Sequence, residues 1–296
     1  MGAKRILDHD RAGLVALAGR DLDAAIVAAE GRTVIAEVFA NSTGIADGCH
    51  NAEVQAAHGA DVIILNFIEQ AWDGQGMFRF DAPDRTLRDL RAFADMVGRP
   101  IAVNVEPGDV PAQRRATVEG GKRLVDAGAA ALVLTANPWT DSDYASLVRV
   151  TAELRAGLGD GVALWSGKMH GAGFHELPTP DVVRALAEAG ASGVLVPMPG
   201  TVPGITIEVA GRAVEAIHAA GAFALGTIGT SQEGSPAEVA VRFAIDGKQA
   251  GFDAFHIGDS WAYGSGDPDV VRAIGLAIRG KRHTWRRMAL GARPGA

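Results

Sequence analysis

The chain of 296 residues carries 28 Lys and Arg against 35 Asp and Glu, a formal charge of −7, and is 48% hydrophobic, enough apolar mass for one large domain. The acidic balance argues against a nucleic-acid partner. No apolar run reaches the roughly 18–20 residues of a membrane helix, and the N-terminus lacks the apolar core of a signal peptide. A single cysteine excludes an intrachain disulfide, so a soluble cytoplasmic protein without a membrane partner is expected.

A repeat organises the chain. Residues 11–30 read as an amphipathic helix, and Gly31 then precedes the apolar run VIAEVFA. Further glycines precede strand-like runs at Gly59, Gly98, Gly128, Gly159, Gly190, Gly221 and Gly251, at intervals of 28, 39, 30, 31, 31, 31 and 30 residues. A glycine of this kind ends a helix in the left-handed conformation and turns the chain into a strand. A period of about 30 residues is one strand-plus-helix unit. The interval of 39 places an insertion at 70–83. Helices are predicted over 51–58, 84–97, 111–127, 142–157, 179–189, 205–219, 236–250 and 268–279, several opening on a capping residue and proline, as at Thr179-Pro180, Ser235-Pro236 and Asp267-Pro268.

Uninterrupted apolar strands alternating with helices imply an all-parallel sheet buried on both faces. Eight of them predict a closed (β/α)8 barrel over residues 1–296 as one domain. The helix within residues 1–31 closes the bottom, and the basic stretch 281–296 forms a surface tail or oligomer contact.

In such barrels chemistry gathers at the C-terminal ends of the strands. Polar residues expected there are Glu37, Asn41, Asn66, Asn104, Glu106, Thr135, Asn137, Ser166, Lys168, His170, His256 and Asp259. Period two puts Ala102, Asn104 and Glu106 on the barrel axis, with Val103 and Val105 toward the helices. By the same rule Thr135 joins Asn137, and Ser166 joins Lys168 and His170. Glu106 and Lys168 are the expected charge partners. Lys168, Glu106, His170 and Asp259 are the candidate acid–base residues, with Glu37, Asn41, Asn66, Asn104, Asn137 and Ser166 as substrate contacts.

The last two strands end in glycine turns. Gly226, Thr227, Gly229, Thr230 and Ser231 lead toward a helix, and Gly258 and Ser260 follow the next strand. Backbone N–H groups there suit a phosphate or carboxylate. Glu37, Glu106, His170 and Asp259 form an oxygen-rich set that would suit Mg2+ or Mn2+ better than zinc. Cys49 reads as a loop cysteine and His175 as a surface residue. Trp72, Trp139 and Trp261 belong to the rim.

The segments AEVFANSTG, VIILNF, NVEPG, SGKMHGAG and GTIGTSQEG resemble a family of uncharacterised bacterial barrel proteins often labelled PEP phosphonomutase-like. More generally the chain is similar to the phosphate-binding TIM barrels. The resemblance implies the fold and leaves the reaction open. Phosphonomutase-type sites carry paired aspartates on strands two and three and a lysine-lysine-cysteine-glycine-histidine loop, whereas the strand ends here are Asn66 and Glu106, and Cys49 is in no such loop.

The expected function is an enzyme of the lyase, aldolase or isomerase type acting on a small phosphorylated or carboxylated metabolite, in a homo-oligomer. A metal-dependent hydrolase and a non-enzymatic ligand-binding barrel are the alternatives.

Overall fold

A computed structural model describes residues 2–74, 78–82, 85–137, 142–169, 176–229 and 232–291. All eight repeat glycines have positive φ, from 68° at Gly31 to 112° at Gly128, so the repeat marks the turns where the chain enters each barrel strand.

In chain order, α1 (Arg11–Val15) and α2 (Gly19–Val27) precede β1 (Thr33–Phe39), and α3 (Asn51–Ala57) leads to β2 (Val62–Asn66). The insertion carries an antiparallel hairpin, β3 (Phe80–Ala82) with β4 (Arg85–Leu87), before α4 (Leu90–Val97). There follow β5 (Ile101–Val105), α5 (Val118–Asp126), β6 (Ala131–Thr135), α6 (Tyr144–Leu158), β7 (Ala163–Gly167), α7 (Pro180–Glu188) and β8 (Gly193–Pro197). The chain ends with α8 (Ile207–Ala219), β9 (Phe223–Ile228), α9 (Ala237–Ala250), β10 (Ala254–Ile257) and α10 (Pro268–Gly291). Strands β1, β2, β5, β6, β7, β8, β9 and β10 close a parallel barrel, the (β/α)8 fold.

Period two divides the strand residues between two cores. Val34, Val38, Ile63, Leu65, Val103, Val105, Leu132, Leu134, Val194 and Val196 pack outward against the helices. Ile35, Val62, Ile64, Ala102, Val133, Trp165, Leu195 and Leu225 fill the axis together with Ile6, Leu14, Leu22 and Ile26 from the N-terminal segment, which closes the bottom. Trp165 anchors that plug: its Nε1 donates to Asp23 Oδ1 at 2.8 Å.

Several expectations change: the helix expected over 84–97 begins only at Leu90, because Arg85–Leu87 pairs as a strand with Phe80–Ala82. The N-terminal helix is two helices, split where Gly19, at φ 56°, donates its N–H to Ala130 O at 2.9 Å; a Cβ there would lie 2.3 Å from Gly161 O. The helix expected over 111–127 begins only at Val118, because Thr117 caps it and the preceding residues fold back onto β5. The described part of the basic tail, 281–291, exposes Lys281, Arg282, Trp285 and Arg286 but is helical. It continues α10 past a break at Gly280, and Arg287 is buried, donating to Ile6 O and His9 O at 2.9 Å. Asp61 is the counter-charge: its carboxylate takes Arg279 at 2.6 Å and Arg287 at 3.1 Å, all three fully buried. Leaving such a pair half-made costs several kcal/mol, which fixes the C-terminal helix on the bottom of the barrel.

Candidate active site

The polar residues that period two places on the axis form a connected chain at the C-terminal mouth. Thr135 Oγ1 donates to Asn104 Oδ1 at 2.7 Å, Asn104 Nδ2 to Asn66 Oδ1 at 3.0 Å, and Asn66 Nδ2 to Asp259 Oδ2 at 3.0 Å. These residues sit on β6, β5 and β2 and on the loop after β10. The chain runs one way. Asn66 Oδ1 also accepts the N–H of Phe67 at 2.8 Å, so its amide nitrogen is the end left to face Asp259. Phe67 is left-handed, at φ 51°, which turns its N–H back onto the preceding side chain. Asp259 takes a second donor, Ser260 Oγ, at 3.3 Å.

Beneath this chain, Glu37 of β1 and His256 of β10 face each other, Oε2 to Nε2 at 3.3 Å, both buried. Among the described residues neither His256 nitrogen finds a hydrogen-bond partner, nor does Glu37 Oε1. Burial, then the charges of Glu106 and Glu233, push the Glu37 carboxyl up to about 8. Burial pulls the His256 imidazole down to about 4, against the fields of Asp259 and Glu233. Both groups are therefore neutral at pH 7. Burial first, then Glu37, lifts the Asp259 carboxyl to about 7, while the Asn66 donor holds it from rising further. A carboxylate titrating near neutrality beside a neutral acid is suited to accepting and returning a proton.

Glu106, fully buried, is held by Asn137, whose Nδ2 donates to Oε1 at 2.9 Å. Its charge partner is Arg114 at 3.5 Å and not the expected Lys168. The cause is the loop after β5: Glu106 N donates to Arg114 O at 2.9 Å and Ala116 N to Glu106 O at 2.8 Å. That fold-back brings Arg114 over the mouth, 3.6 Å from Glu69 and stacked 4.4 Å from the Phe67 ring centre. Burial raises the Glu106 carboxyl, with Asn137 and Arg114 opposing.

Lys168 follows β7 and is buried, its Nζ 5.7 Å from the centre of the Tyr144 ring. Burial lowers its pKa, opposed by the charges of Glu176 and Asp143. Glu176 is fixed by accepting the N–H of Tyr144 at 3.0 Å at the start of α6. Lys168 therefore has its own acidic surroundings, two strands from Glu106.

Other expected residues are placed differently. Ser166 is on the helix-facing side of β7 and accepts Thr151 Oγ1 of α6 at 2.9 Å, because Trp165 and Gly167 hold the inward positions. Asn41 anchors the insertion, donating to Gln70 O and Arg79 O at 2.9 and 3.1 Å. Gly226 and Thr227 belong to β9 and form no turn; a Cβ on Gly226 would meet Met198 and Phe252 at 2.8 and 2.9 Å, and Thr227 donates to Val196 O and Met169 O. Gly229 lies against Met169, and Gly258 against Glu233. Ser260 is exposed and turned toward Asp259. His170, His175, Trp139, Thr230 and Ser231 lie outside the described residues. Among the described residues, no three His, Cys, Asp or Glu side chains are placed to hold a metal ion; the set expected for a cation includes His170, which lies outside them. Trp72 packs edge-on against Phe78 and Trp261 covers Gly234.

The site also holds residues that the pattern of strand ends does not reveal: Glu233, Arg114, Glu176 and Tyr144. Glu233 lies in Gln232-Glu233-Gly234, between β9 and α9, where its burial is not legible in the sequence. Arg114 was hidden by the expectation of a helix starting at residue 111.

Residues 7–293 match the model of a family described as Domain of unknown function (DUF7916). No curated protein matches the chain. Among solved structures, an archaeal fructose 1,6-bisphosphate aldolase aligns over 86% of this chain and 97% of its own at a TM-score of 0.54 and 16% identity. The YdjI aldolase from Escherichia coli K12 aligns over 94% and 98% at 0.52 and 12%. A deoxyribose phosphate aldolase from Aeropyrum pernix aligns over 85% and 91% at 0.50 and 12%. At these identities the likeness is one of fold.

Proposed function

The chain belongs to the DUF7916 family, and for this member we propose an enzyme of the lyase or aldolase type that moves a proton beside a carbonyl of a small anionic metabolite. The observation that carries the reading is the one-way chain from Thr135 through Asn104 and Asn66 to Asp259. It terminates in a buried carboxylate poised at about 7. Three aligned donors are a costly arrangement in a barrel axis unless they hold one group in one protonation state and orientation. That the barrels sharing its shape include aldolases agrees with the reading only as analogy of fold.

In this reading Asp259 is the base. It takes a proton from the substrate's hydroxyl or from the carbon next to the carbonyl. The electron pair released forms the new carbonyl and breaks the adjoining C–C bond, or forms an enolate. The charge gathers on the substrate's carbonyl oxygen, where the Lys168 ammonium stabilises it. The proton then returns from Asp259 to carbon. Asn66, Asn104 and Thr135 position Asp259, and Asn137 with Arg114 fixes Glu106. Isomerisation shares the first step and differs only in where the proton returns.

Lys168→Ala tests the assignment. Turnover of a substrate identified by screening short keto and hydroxy acids and their phosphates should fall about 100-fold or more, with the melting temperature little changed. Full activity of the folded variant would remove Lys168 from the chemistry.

A further inference from the structure

Beyond β9 and β10, where the sequence suggests an anion, the structure places a carboxylate. A Cβ built on Gly258 would lie 2.8 Å from Glu233 Oε1, and one on Gly266 3.6 Å from Glu233 Cβ. Glu233 is fully buried, and its field acts on both Glu37 and His256. Glu37 on β1 feels the charge of Glu233, and Asp259 in the β10 loop feels that of Glu37. Among the described residues no lysine or arginine forms an ion pair with Glu37 or Asp259. A dianion brought here would meet three carboxyl groups at close range.

The second observation is His256. It is fully buried, faces Glu37 Oε2 at 3.3 Å, and neither ring nitrogen has a hydrogen bond among the described residues. Glu37 Oε1 is equally buried and unpartnered. Buried polar atoms are nearly always satisfied, and acceptors left open in a cluster point to a donor that arrives with the ligand. A neutral imidazole offers one acceptor nitrogen and the carboxyl groups offer several. The cations of the mouth, Arg114 and Lys168, stand on other strands, after β5 and β7.

We propose that this quadrant receives an ammonium group of the substrate, Glu37, Glu233 and Asp259 holding its charge and His256 accepting one of its N–H bonds. The substrate's anionic end then lies toward Arg114 and Lys168, which makes it an amine-bearing carboxylate. This rests on the placement of the site in the reading above but not on its proton-transfer chemistry.

The test uses the whole chain and matched probes that differ only in the nitrogen: alanine against lactate, and ethanolamine against ethylene glycol, with inorganic phosphate as the opposing case. Calorimetry should show each amine binding roughly 10-fold or more tighter than its hydroxyl partner, the ratio of a charged hydrogen bond to a neutral one. Binding should release protons, seen as a dependence of the heat on the buffer, because an ammonium beside these carboxyls lowers their proton affinity. Glu37→Gln should abolish the preference. The wild-type proton release stands as the deciding measurement if that variant does not fold. Equal binding within each pair, tighter binding of phosphate than of any amine, no amine binding at all, or no proton release overturns the proposal. Those outcomes leave the acid–base reading intact, since it is tested separately by the turnover of Lys168→Ala and Asp259→Asn.

Discussion

Asn66 Nδ2 donates to Asp259 Oδ2 at 3.0 Å, joining the end of β2 to the loop after β10 across the β1 strand that carries Glu37. The contact sets both the orientation and the proton affinity of the carboxylate that the proposed reaction uses. Asn66→Leu removes the donor and raises the Asp259 pKa further above its present value of about 7. A hydrogen bond to a charged group is worth about 1.5–3 kcal/mol and one pKa unit about 1.4 kcal/mol, so the shift is roughly 1–2 units. The acidic limb of the kcat/KM profile should move up by that amount, activity at pH 6 falling most. A limb that does not move would take Asp259 out of the role of base.

Glu37→Gln reports the electrostatic strain of the mouth as stability. The folded Glu37 carboxyl holds its proton to about 8, whereas an unfolded glutamate releases it near the ordinary 4.5. A raised pKa stabilises the fold fully below the unfolded value and is lost as pH climbs through the folded one; here the window is about 4.5 to 8, and Asp259 adds to it in the same direction. His256 acts at the other side: held neutral down to about 4, it withdraws stability as pH falls below 6.5. Glu37→Gln should therefore gain about 1–3 kcal/mol over the wild type at pH 8 and little at pH 5, read from denaturant midpoints. An equal effect at both pH values would show that Glu37 ionises normally.

Asp61→Asn tests the clamp at the opposite end. It leaves Arg279 and Arg287 buried without their counter-charge. The expected cost is about 3–5 kcal/mol, or roughly 6–20 °C in melting temperature for a chain of this size. A loss under about 1 kcal/mol would mean that these arginines are hydrated in solution.

The Tyr144 hydroxyl is buried and has no hydrogen-bond partner among the described residues, and burial raises its pKa. Tyr144→Phe removes an unsatisfied group and keeps the ring under Lys168, so the melting temperature should stay level or rise by a few degrees. A marked fall would show that the hydroxyl has a partner in solution.

The repeat made the fold legible. Gly31 to Gly251 recur because each strand-plus-helix unit needs a left-handed entry, and that requirement survives in the sequence whatever else varies. Period two likewise placed Asn104, Glu106, Thr135 and Asn137 on the axis. It failed at Ser166, because β7 fills its inward positions with Trp165 and Gly167, and neither residue announces its face. Arg114 and Glu233 were out of reach for a different reason: loops bring them in, and loop paths follow from tertiary hydrogen bonds such as Glu106 N to Arg114 O. The glycine turn at Gly226 was misread because a glycine that only admits Met198 and Phe252 looks the same in sequence as one that admits a phosphate.

In the proposed reaction Asp259 moves a substrate proton. The most direct measurement is NMR of short keto and hydroxy acids and their phosphates and amines, incubated with the protein in D2O. The wild type should wash deuterium into the carbon beside the carbonyl of one class of compound. Asp259→Asn, folded to the same degree by circular dichroism, should slow that exchange by about 100-fold or more. Exchange at the wild-type rate in Asp259→Asn, or no exchange and no cleavage with any member, would contradict the account.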